Sequence, residues 1–190
     1  MPPTVAIILV SWNTRELLRL ALLSVRAHAD LPVRVIVVDN ASGDGSVELV
    51  RAEFPEVALI ANADNRGFGR ANNQGLAAGD EPLVLLLNSD AELTPGALPA
   101  LVRAMEAHPE AGVVGARLVF PDGRFQASFN RFPRLIHEAL ALAGLARLLL
   151  GPRYPSASER LSRDPREVDW VGGACMLLRR RALAQLGAMP

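Results

Sequence analysis

The feature that most constrains the fold of this chain is a regular alternation of short apolar runs with segments of helical periodicity. Four such runs lie in the first half, at residues 5–10, 35–38, 57–61 and 83–87. Runs that are apolar throughout are typical of strands buried on both faces, as in a parallel sheet covered by helices. The alternation therefore predicts an α/β fold with a mostly parallel, Rossmann-like sheet and helices on both faces.

Helical patterns separate the predicted strands. After the first run, residues 13–16 open a pattern in which Leu17, Leu20, Ala21 and Ser24 recur at helical spacing. A second predicted helix follows the turn-forming residues 44–46. A third covers the small residues around 71–78, and a fourth begins at Thr94 and Pro95, with Pro95 in its first turn.

The second part of the chain is less regular. Residues 113–114 begin a fifth strand, residues 121–123 predict a hairpin turn, and residues 168–178 predict a strand that Gly172 and Gly173 interrupt. Between them, residues 135–149 carry an apolar helical face, and residues 156–166 predict a polar loop. Near the end, Cys175 is interpreted as a packed small hydrophobe and the three arginines at 179–181 as a solvated face.

Composition limits the classes of function. The 190 residues carry 20 basic and 20 acidic side chains, so the formal net charge is zero, which argues against a general nucleic-acid-binding protein. The single cysteine excludes an intramolecular disulfide framework and a cysteine-rich zinc site. Neither a signal peptide nor an apolar stretch near the ~20 residues of a membrane span is recognisable. We expect a cytoplasmic location, with peripheral contact at the inner face of the plasma membrane as a minority alternative.

Polar side chains follow each of the four predicted strands. The clusters are Ser11-Trp12-Asn13, Asp39-Asn40, residues 62–69 and Asn88-Ser89-Asp90. Any one of them is compatible with an ordinary loop or helix cap. Because the carboxyl ends of parallel strands meet at one edge of the sheet, where ligands collect in open α/β folds, the four together predict a binding site.

The same stretches resemble the family 2 glycosyltransferases of the GT-A fold, particularly the rhamnosyltransferase-like bacterial members. The resemblance is carried, in the family's order, by "ILVSWNT" (8–14), "VIVVDNASGDGSVELV" (35–50), "NADNRGFGRANNQGL" (62–76), "LLLNSDAELTPGAL" (85–98) and "VDWVGGACMLLRR" (168–180). It implies transfer of a sugar such as rhamnose, with inversion, from a dTDP- or UDP-linked donor to a hydroxyl of a saccharide or lipid-linked acceptor. Cell-surface polysaccharide or glycolipid synthesis is the implied context.

The resemblance also implies an organisation and a set of donor-binding residues. Residues 1–190 would form a single GT-A domain, with residues 1–120 as the donor-binding half and 121–190 as the start of the acceptor-side half. The donor nucleotide is expected to contact Val10, Ser11, Trp12, Asn13, Asp39, Asn40, Asp64, Asn65, Gly67, Phe68, Asn72, Asn88 and Ser89.

For three of these residues, a specific role or an alternative to nucleotide contact is expected. Asp39 is a fixed acceptor for an imide N–H of uracil or thymine, or for a ribose hydroxyl. Trp12 offers a flat face to the base, with core packing as the alternative. Asn72 would reach the pocket from the first turn of its helix, with helix capping as the alternative.

Residues 88–90 stand where the family has its Asp-x-Asp metal motif. A diphosphate donor needs charge neutralisation at its leaving group, which a divalent cation held by one or two carboxylates supplies. Because the first position is Asn88, a neutral oxygen ligand, Asp90 is expected to be the main metal ligand. The implied cofactor is Mg²⁺ or Mn²⁺.

Trp170, Gly172 and Gly173 resemble the stretch that lines the acceptor side; a buried aromatic beside a glycine bulge is the alternative. The family's general base, an acidic pair, is expected beyond Pro190, so no catalytic residue is assigned, and Asp164 and Asp169 precede the position where the family places it. The chain as given is accordingly expected to bind donor but to transfer sugar poorly.

Two rival functions remain at the sequence level. One is a non-catalytic module that binds nucleotide sugars. The other is a sugar-nucleotide pyrophosphorylase, which is disfavoured because Ser11-Trp12-Asn13-Thr14 stands where such an enzyme has a glycine-rich loop.

Overall fold

The computed structural model describes residues 5–130, 132, 139–140, 142–145, 148 and 165–189. The chain forms two compact units, one of Met1–Val114 with Gly173–Pro190 and the other of Gly115–Gly172. The predicted apolar helix at 135–149 and polar loop at 156–166 lie largely outside the described residues. In the described ranges, no helix is both long and apolar enough to cross a membrane.

The first unit is built on a six-stranded sheet with strand order β3-β2-β1-β4-β10-β5. The neighbours β3, β2, β1 and β4 are all parallel, and β10 is antiparallel to β4. This confirms the predicted mostly parallel α/β sheet. The strands of this sheet are β1 (Val5–Ser11), β2 (Val33–Asp39), β3 (Ala58–Ala61), β4 (Leu83–Leu87), β5 (Val113–Gly115) and β10 (Cys175–Arg179). The helices of the unit are α1 (Arg15–His28), α2 (Ser46–Glu53), α3 (Phe68–Ala77), α4 (Ala97–Ala107) and α5 (Arg180–Leu186).

The core forms on both faces of the two central strands. On one face, Ile8 belongs to a cluster of buried side chains with Val38, Leu86 and Ala71 of α3. Alternate residues, such as Ile7 and Leu85, are equally buried. Because successive side chains of a strand point to opposite faces, both faces of the sheet are covered. Burial also raises the pKa of the Cys175 thiol to about 12, in agreement with its interpretation as a packed small side chain.

Helix α3 packs unusually close to β1 at Gly75. A Cβ atom at this position would lie 2.6 Å from Cγ2 of Ile8, so only a glycine allows the present separation. Gly75 is in the last turn of α3, so the close approach holds the end of this helix against the middle of β1.

Helix α1 buries Ala21 and Ser24 as the spacing suggested, but its buried face is rotated away from Leu17 and Leu20. Leu18, Ala21, Leu22 and Val25 are buried, whereas Leu17 and Leu20 are 47% and 45% exposed. Leucines lie all around this helix, so periodicity alone does not define the buried face.

Helix α4 begins later than predicted. Its N-cap is Gly96, with φ of 73°, and the helix starts at Ala97, whose N–H donates to the carbonyl of Thr94. Proline at the second position and a positive φ at the third are the signature of a type II turn. Thr94 and Pro95 therefore belong to a turn, and the prediction that Pro95 lies in the first helical turn is wrong.

The arginines at the end of β10 are structural. The guanidinium of Arg179 donates to carbonyls at the end of α4 and beyond it, including that of Ala111 at 2.8 Å. Arg180 donates to the carbonyls of Leu76 in α3 and of Glu81, at 2.8 and 2.7 Å. Cations stabilise the carbonyl ends of helices, so these two residues are not the solvated face that was predicted.

The second unit contains two short antiparallel pairs. β6 (Leu118–Val119) pairs with β7 (Phe125–Gln126) across the turn predicted at 121–123, and β8 (Phe129–Asn130) pairs with β9 (Trp170–Val171). In the chain, Gly172 and Gly173 separate β9 from β10, as predicted for the interrupted strand.

Candidate functional site

The predicted site lies at the carboxyl edge of the parallel strands of the first unit. The chain order of the strands reverses at β1, which has β2 on one side and β4 on the other. Such a switch point is where open α/β sheets bind ligands. Ser11 ends β1 directly opposite Asp39, the last residue of β2, and Asn88 follows the last residue of β4.

The loop after β1 is hydrogen-bonded to the loop after β2. Asn13, with φ of 54°, accepts a hydrogen bond from the Gly43 N–H at 2.8 Å and donates its own N–H to Ser42 Oγ at 2.9 Å. Asp44 accepts the Arg15 N–H at 2.9 Å, at the start of α1, and also the N–H and hydroxyl of Ser46 at the start of α2. These bonds fix two neighbouring strand-end loops relative to each other.

Asp39 presents an unused acceptor at this edge. The residue is only 1% exposed, and its Oδ2 accepts the Ser42 N–H at 2.9 Å. Its Oδ1 is buried and has no hydrogen-bond partner among the described residues. A buried carboxylate oxygen without a donor is costly, so this atom is suited to a ligand N–H or O–H.

The polar stretch after β3 surrounds a depression of about 400 Å³. Its walls are formed by Asp64, Asn65, Arg66, Arg70 and Gln74. Gly67 has φ of 81°, a conformation that side chains rarely adopt, and Phe68 at the start of α3 is exposed. The depression places polar groups of both charges beside the end of β2.

Asn40, next to Asp39, bonds with this stretch through its whole side-chain amide. Its Nδ2 donates to Asn65 Oδ1 at 3.1 Å and to the Gly67 carbonyl at 3.3 Å. Its Oδ1 accepts from Asn62 Nδ2 at 3.1 Å and from the Arg66 N–H at 3.2 Å. The amide is 2% exposed and is used internally.

A chain of hydroxyl groups connects the ends of β1 and β4. Thr14 Oγ1 donates to Ser89 Oγ at 3.0 Å and lies 2.9 Å from Ser11 Oγ. Ser11 and Ser89 are buried, whereas Asp90 is exposed. The chain therefore anchors the segment that carries the candidate metal ligand.

The residues at 88–90 fit a metal that is shared with a ligand. No group of three or more His, Cys, Asp or Glu side chains that could hold an ion occurs within the part of the chain that the structure describes. Mg²⁺ and Mn²⁺ bind through hard oxygen atoms, and Mg²⁺ commonly takes one or two protein carboxylates together with phosphate oxygens and water. The Asp90 carboxylate and the Asn88 amide supply oxygens of this kind.

The remaining residues predicted to contact the donor nucleotide differ in their exposure to solvent. Trp12 is 55% exposed, which rules out its alternative as a core residue, and Val10 is half-buried at the end of β1. Asn72 is buried and donates to the Phe68 carbonyl at 2.9 Å, so its amide bonds within the first turn of α3.

The residues predicted to line the acceptor side fall mainly in the second unit. Trp170 is 45% exposed, so the alternative of a buried aromatic is wrong. The Gly172 N–H donates to the Ser128 carbonyl at 2.7 Å, and Gly173 belongs to the first unit. Asp169 accepts the Phe132 N–H at 2.8 Å, and Asp164 lies outside the described residues.

Sequence reasoning assigned no individual role in the site to Thr14, Ser42, Asp44, Asn62 or Gln74, although Asn62 belongs to the predicted cluster at 62–69. Thr14 follows the predicted Ser11-Trp12-Asn13 cluster, and Asn62 opens the polar stretch after β3, so both had a positional signal. Gln74 had none, because its pairing with Asn62 depends on the packing of α3 against β1 and β2.

The chain matches a family model and curated relatives over most of its length. The family model described as glycosyl transferase family 2 matches residues 6–187. The N-acetylglucosaminyl-diphospho-decaprenol L-rhamnosyltransferase of Mycobacterium tuberculosis is 32% identical over 98% of this chain, which spans 65% of that relative's length. The succinoglycan biosynthesis protein ExoO of Rhizobium meliloti is 33% identical, over 70% of this chain and 40% of its own length.

Two solved structures share the GT-A fold. The mannosyltransferase PcManGT from Pyrobaculum calidifontis, solved in complex with GDP-Man and Mn²⁺, is similar with a TM-score of 0.65 at 23% identity, over 100% of this chain and 48% of its own. Residues 1–349 of S. aureus TarS give a TM-score of 0.62 at 17% identity, over 96% of this chain and 49% of that one. The family match spans nearly the whole chain, and the chain accordingly belongs to glycosyl transferase family 2.

Proposed function

We propose that this chain supplies the donor-binding part of a glycosyltransferase that moves a sugar from a nucleoside diphosphate to an acceptor hydroxyl. The proposed donor is dTDP- or UDP-linked, with rhamnose as the favoured sugar, because the rhamnosyltransferase named above is 32% identical over almost the whole chain. That relative's name also supports a lipid-linked saccharide as acceptor. The name of the succinoglycan biosynthesis protein ExoO supports a role in the synthesis of a cell-surface polysaccharide. Peripheral contact with the membrane that holds such an acceptor belongs to the same proposal.

The observation that carries the proposal is the Oδ1 of Asp39, which has no hydrogen-bond partner among the residues that the structure describes. It is buried at the carboxyl end of β2, next to the strand β1 at which the chain order reverses. In this proposal it accepts an imide N–H of the base or a ribose hydroxyl. Trp12 contributes an exposed aromatic face, and the depression walled by Asp64 and Asn65 completes the nucleoside pocket.

The diphosphate is proposed to lie towards the end of β4. Asp90 and Asn88 would hold a Mg²⁺ or Mn²⁺ ion there, and PcManGT was solved with Mn²⁺. When bound, such an ion neutralises the negative charge of the leaving diphosphate. Ser89 and Thr14 keep this segment in register with β1 through their hydroxyl groups.

Transfer is proposed to proceed by a single in-line displacement. The acceptor hydroxyl gives up its proton to a general base, for which no residue of this chain is assigned. Its oxygen bonds to the anomeric carbon from the side opposite the diphosphate, the carbon–oxygen bond to the diphosphate breaks, and the configuration inverts. The part of this chain is to fix the nucleotide so that the anomeric carbon faces the acceptor, which is the positioning contribution to catalysis.

The test is calorimetric titration of UDP, dTDP, GDP and ADP into the parent chain and into Asp39→Asn. The substitution keeps an oxygen for the Ser42 N–H but replaces the free acceptor by an N–H donor. A lost hydrogen bond at a buried site costs about 1–3 kcal/mol, so the affinity for UDP or dTDP should fall by about tenfold or more.

The control is Asp80→Ala, which removes an exposed carboxylate away from the strand ends and should bind like the parent. Circular dichroism confirms that each variant is folded. Equal affinity of the parent and a folded Asp39→Asn variant for every nucleotide would refute the assignment.

A further inference from the structure

We propose that Asn40 is a positioning residue that holds residues 62–67 in the shape that binds the donor nucleoside, and that it does not contact the nucleotide through its side chain. The proposal rests on the proposed function and changes the role that sequence resemblance gave to Asn40. It names the residue on which the nucleoside pocket depends.

The first argument is the hydrogen-bonding capacity of the side chain. A primary amide has two N–H donors and an oxygen with two lone pairs, so it makes at most four hydrogen bonds. Asn40 makes all four within the protein, with Asn62, Asn65, Arg66 and Gly67. A nucleotide that used this amide would have to displace one of these bonds at a position that is 2% exposed.

The second argument is where the four bonds go. Every one of them reaches the segment 62–67, which provides Asp64, Asn65 and Arg66 to the depression beside β2. These three side chains are exposed, so packing against them contributes little to the shape of the segment. A buried amide therefore fixes an exposed binding surface.

The remaining contacts of the segment depend on the same amide. The Gly67 N–H donates to Asn65 Oδ1 at 2.9 Å, and that oxygen is the atom to which Asn40 Nδ2 also donates. Asn62 pairs reciprocally with Gln74 of α3 at 2.9 and 2.8 Å, and this pair lies at the other end of the segment. Loss of the Asn40 donors should release Asn65 and Gly67 while the Asn62 end stays attached.

The third argument is that this position requires an amide. A carboxylate has the same shape but has acceptors only, and one of its oxygens would face both Asn65 Oδ1 and the Gly67 carbonyl. Buried acceptors that face each other repel and are left without donors. The Asn40→Asp substitution therefore preserves the shape of the side chain and replaces the donor Nδ2 by an acceptor oxygen.

The experiment compares Asn40→Asp with Asn73→Asp as the matched control. Asn73 also exchanges two hydrogen bonds with backbone, donating to the Met189 carbonyl at 2.8 Å and accepting its N–H at 3.0 Å, but it does not bond with the segment 62–67. Two quantities are measured: amide hydrogen exchange at Gly67 in the absence of ligand, and the affinity for UDP and dTDP.

We expect exchange at Gly67 to accelerate by about tenfold or more in Asn40→Asp and to stay near the parent value in Asn73→Asp. Nucleotide affinity should fall by about tenfold, and the factor by which Mn²⁺ changes that affinity should stay constant, because the 88–90 segment is not touched. A general loss of stability would change both the exchange rate at Gly67 and the factor by which Mn²⁺ changes the affinity. It would also accelerate exchange throughout the sheet.

A second variant, Asn62→Ala, covers the case in which Asn40→Asp does not fold. It removes one partner of Asn40 Oδ1 at a half-buried position and should give smaller changes in the same direction. Unchanged exchange at Gly67, or accelerated exchange with full nucleotide affinity, would overturn the role of Asn40. A parent chain that binds none of the nucleotides would instead contradict the proposed function.

Discussion

The hydroxyl groups of Ser11, Thr14 and Ser89 form a continuous hydrogen-bonded chain between the ends of β1 and β4. Ser11 is fully buried and Ser89 nearly so. Thr14 is the middle member, so its hydroxyl satisfies two buried groups at once. Thr14 thereby helps to hold the segment that carries the candidate metal ligand Asp90, one residue after Ser89.

Replacement of Thr14 by Val should therefore destabilise the protein. Valine preserves the shape of threonine but leaves two buried hydroxyl groups without their partner, which costs about 1–3 kcal/mol of the free energy of unfolding. Urea denaturation measures the change. Thr14→Ser keeps the hydroxyl and should differ from the parent by less than about 1 kcal/mol. Equal destabilisation by both substitutions would show that the methyl group, and not the hydroxyl chain, is what matters.

At the residue scale, the sequence predicted which side chains have the right chemistry for the site, but not which residues they contact. Asp39 was identified because a carboxylate directly follows a buried strand, and the structure places it there with a free oxygen. The internal role of the Asn40 amide was not predictable, because its partners lie 22 to 27 positions away and reach it only when β2 and β3 pair. Hydrogen bonds between residues this far apart in the sequence form only when the fold brings the residues together, so a local sequence pattern does not predict them.

Asp44 accepts backbone N–H groups at the start of two helices, although the N-cap residues of these helices are Thr14 and Gly45. Asp44 accepts the N–H of Arg15 at the start of α1 and that of Ser46 at the start of α2. Burial would raise the pKa of Asp44, but hydrogen bonds from Ser46 and Arg15 outweigh it and hold the pKa below its usual value of 3.8. The charged carboxylate is thus the form that stabilises the fold.

Loss of these hydrogen bonds should weaken both helices together. A hydrogen bond contributes about 0.5–1.5 kcal/mol, and Asp44→Ala removes one backbone acceptor from each helix, so it should lower the free energy of unfolding by about 1–3 kcal/mol. Because the pKa is lowered on folding, this contribution is present above pH 3.8 and is lost as the pH falls through the lower folded value.

Urea denaturation at neutral and acidic pH measures the effect of Asp44→Ala, with the exposed Glu48→Ala in the first turn of α2 as the control. The difference between parent and Asp44→Ala should shrink at acidic pH. An equal difference at both pH values would contradict the role of the carboxylate charge.

The elements themselves were predictable from the sequence, and their exact faces and ends were not. The four apolar runs become β1 to β4, since a run of buried β-branched and leucine residues has few alternatives. Helix α1 has leucines on several sides, so its rotation is decided by the hydrogen bond to Asp44 and by the sheet. The start of α4 was misplaced because proline fits both a first helical turn and a type II turn.

At the scale of the whole molecule, the alternation of strands and helices predicts the parallel strands of the sheet. It does not predict the antiparallel strand that pairs with them. β10, which comes from the end of the chain, pairs antiparallel with β4, and Ala174 before it accepts the Asn88 N–H at 2.9 Å. A residue more than 80 positions away thus helps to fix the 88–90 segment. Such a pairing depends on global packing, which no local pattern encodes.

The central claim is that the strand-end edge of this chain binds a nucleoside diphosphate together with a divalent cation at Asp90. It is tested most directly by titrating UDP and dTDP calorimetrically, in Mn²⁺ and in chelator, into the parent, Asp90→Asn and Glu92→Gln. Glu92 is an exposed carboxylate two residues further on, and its variant is the matched control.

The account predicts that Mn²⁺ tightens nucleotide binding to the parent and to Glu92→Gln by about tenfold or more, since Asp90 would hold the ion and the ion would neutralise the charge of the diphosphate. Asp90→Asn should abolish this gain and keep the affinity measured in chelator, because Asp39 and the 62–67 segment are untouched. A gain from Mn²⁺ that is the same in the parent and in Asp90→Asn would contradict the account.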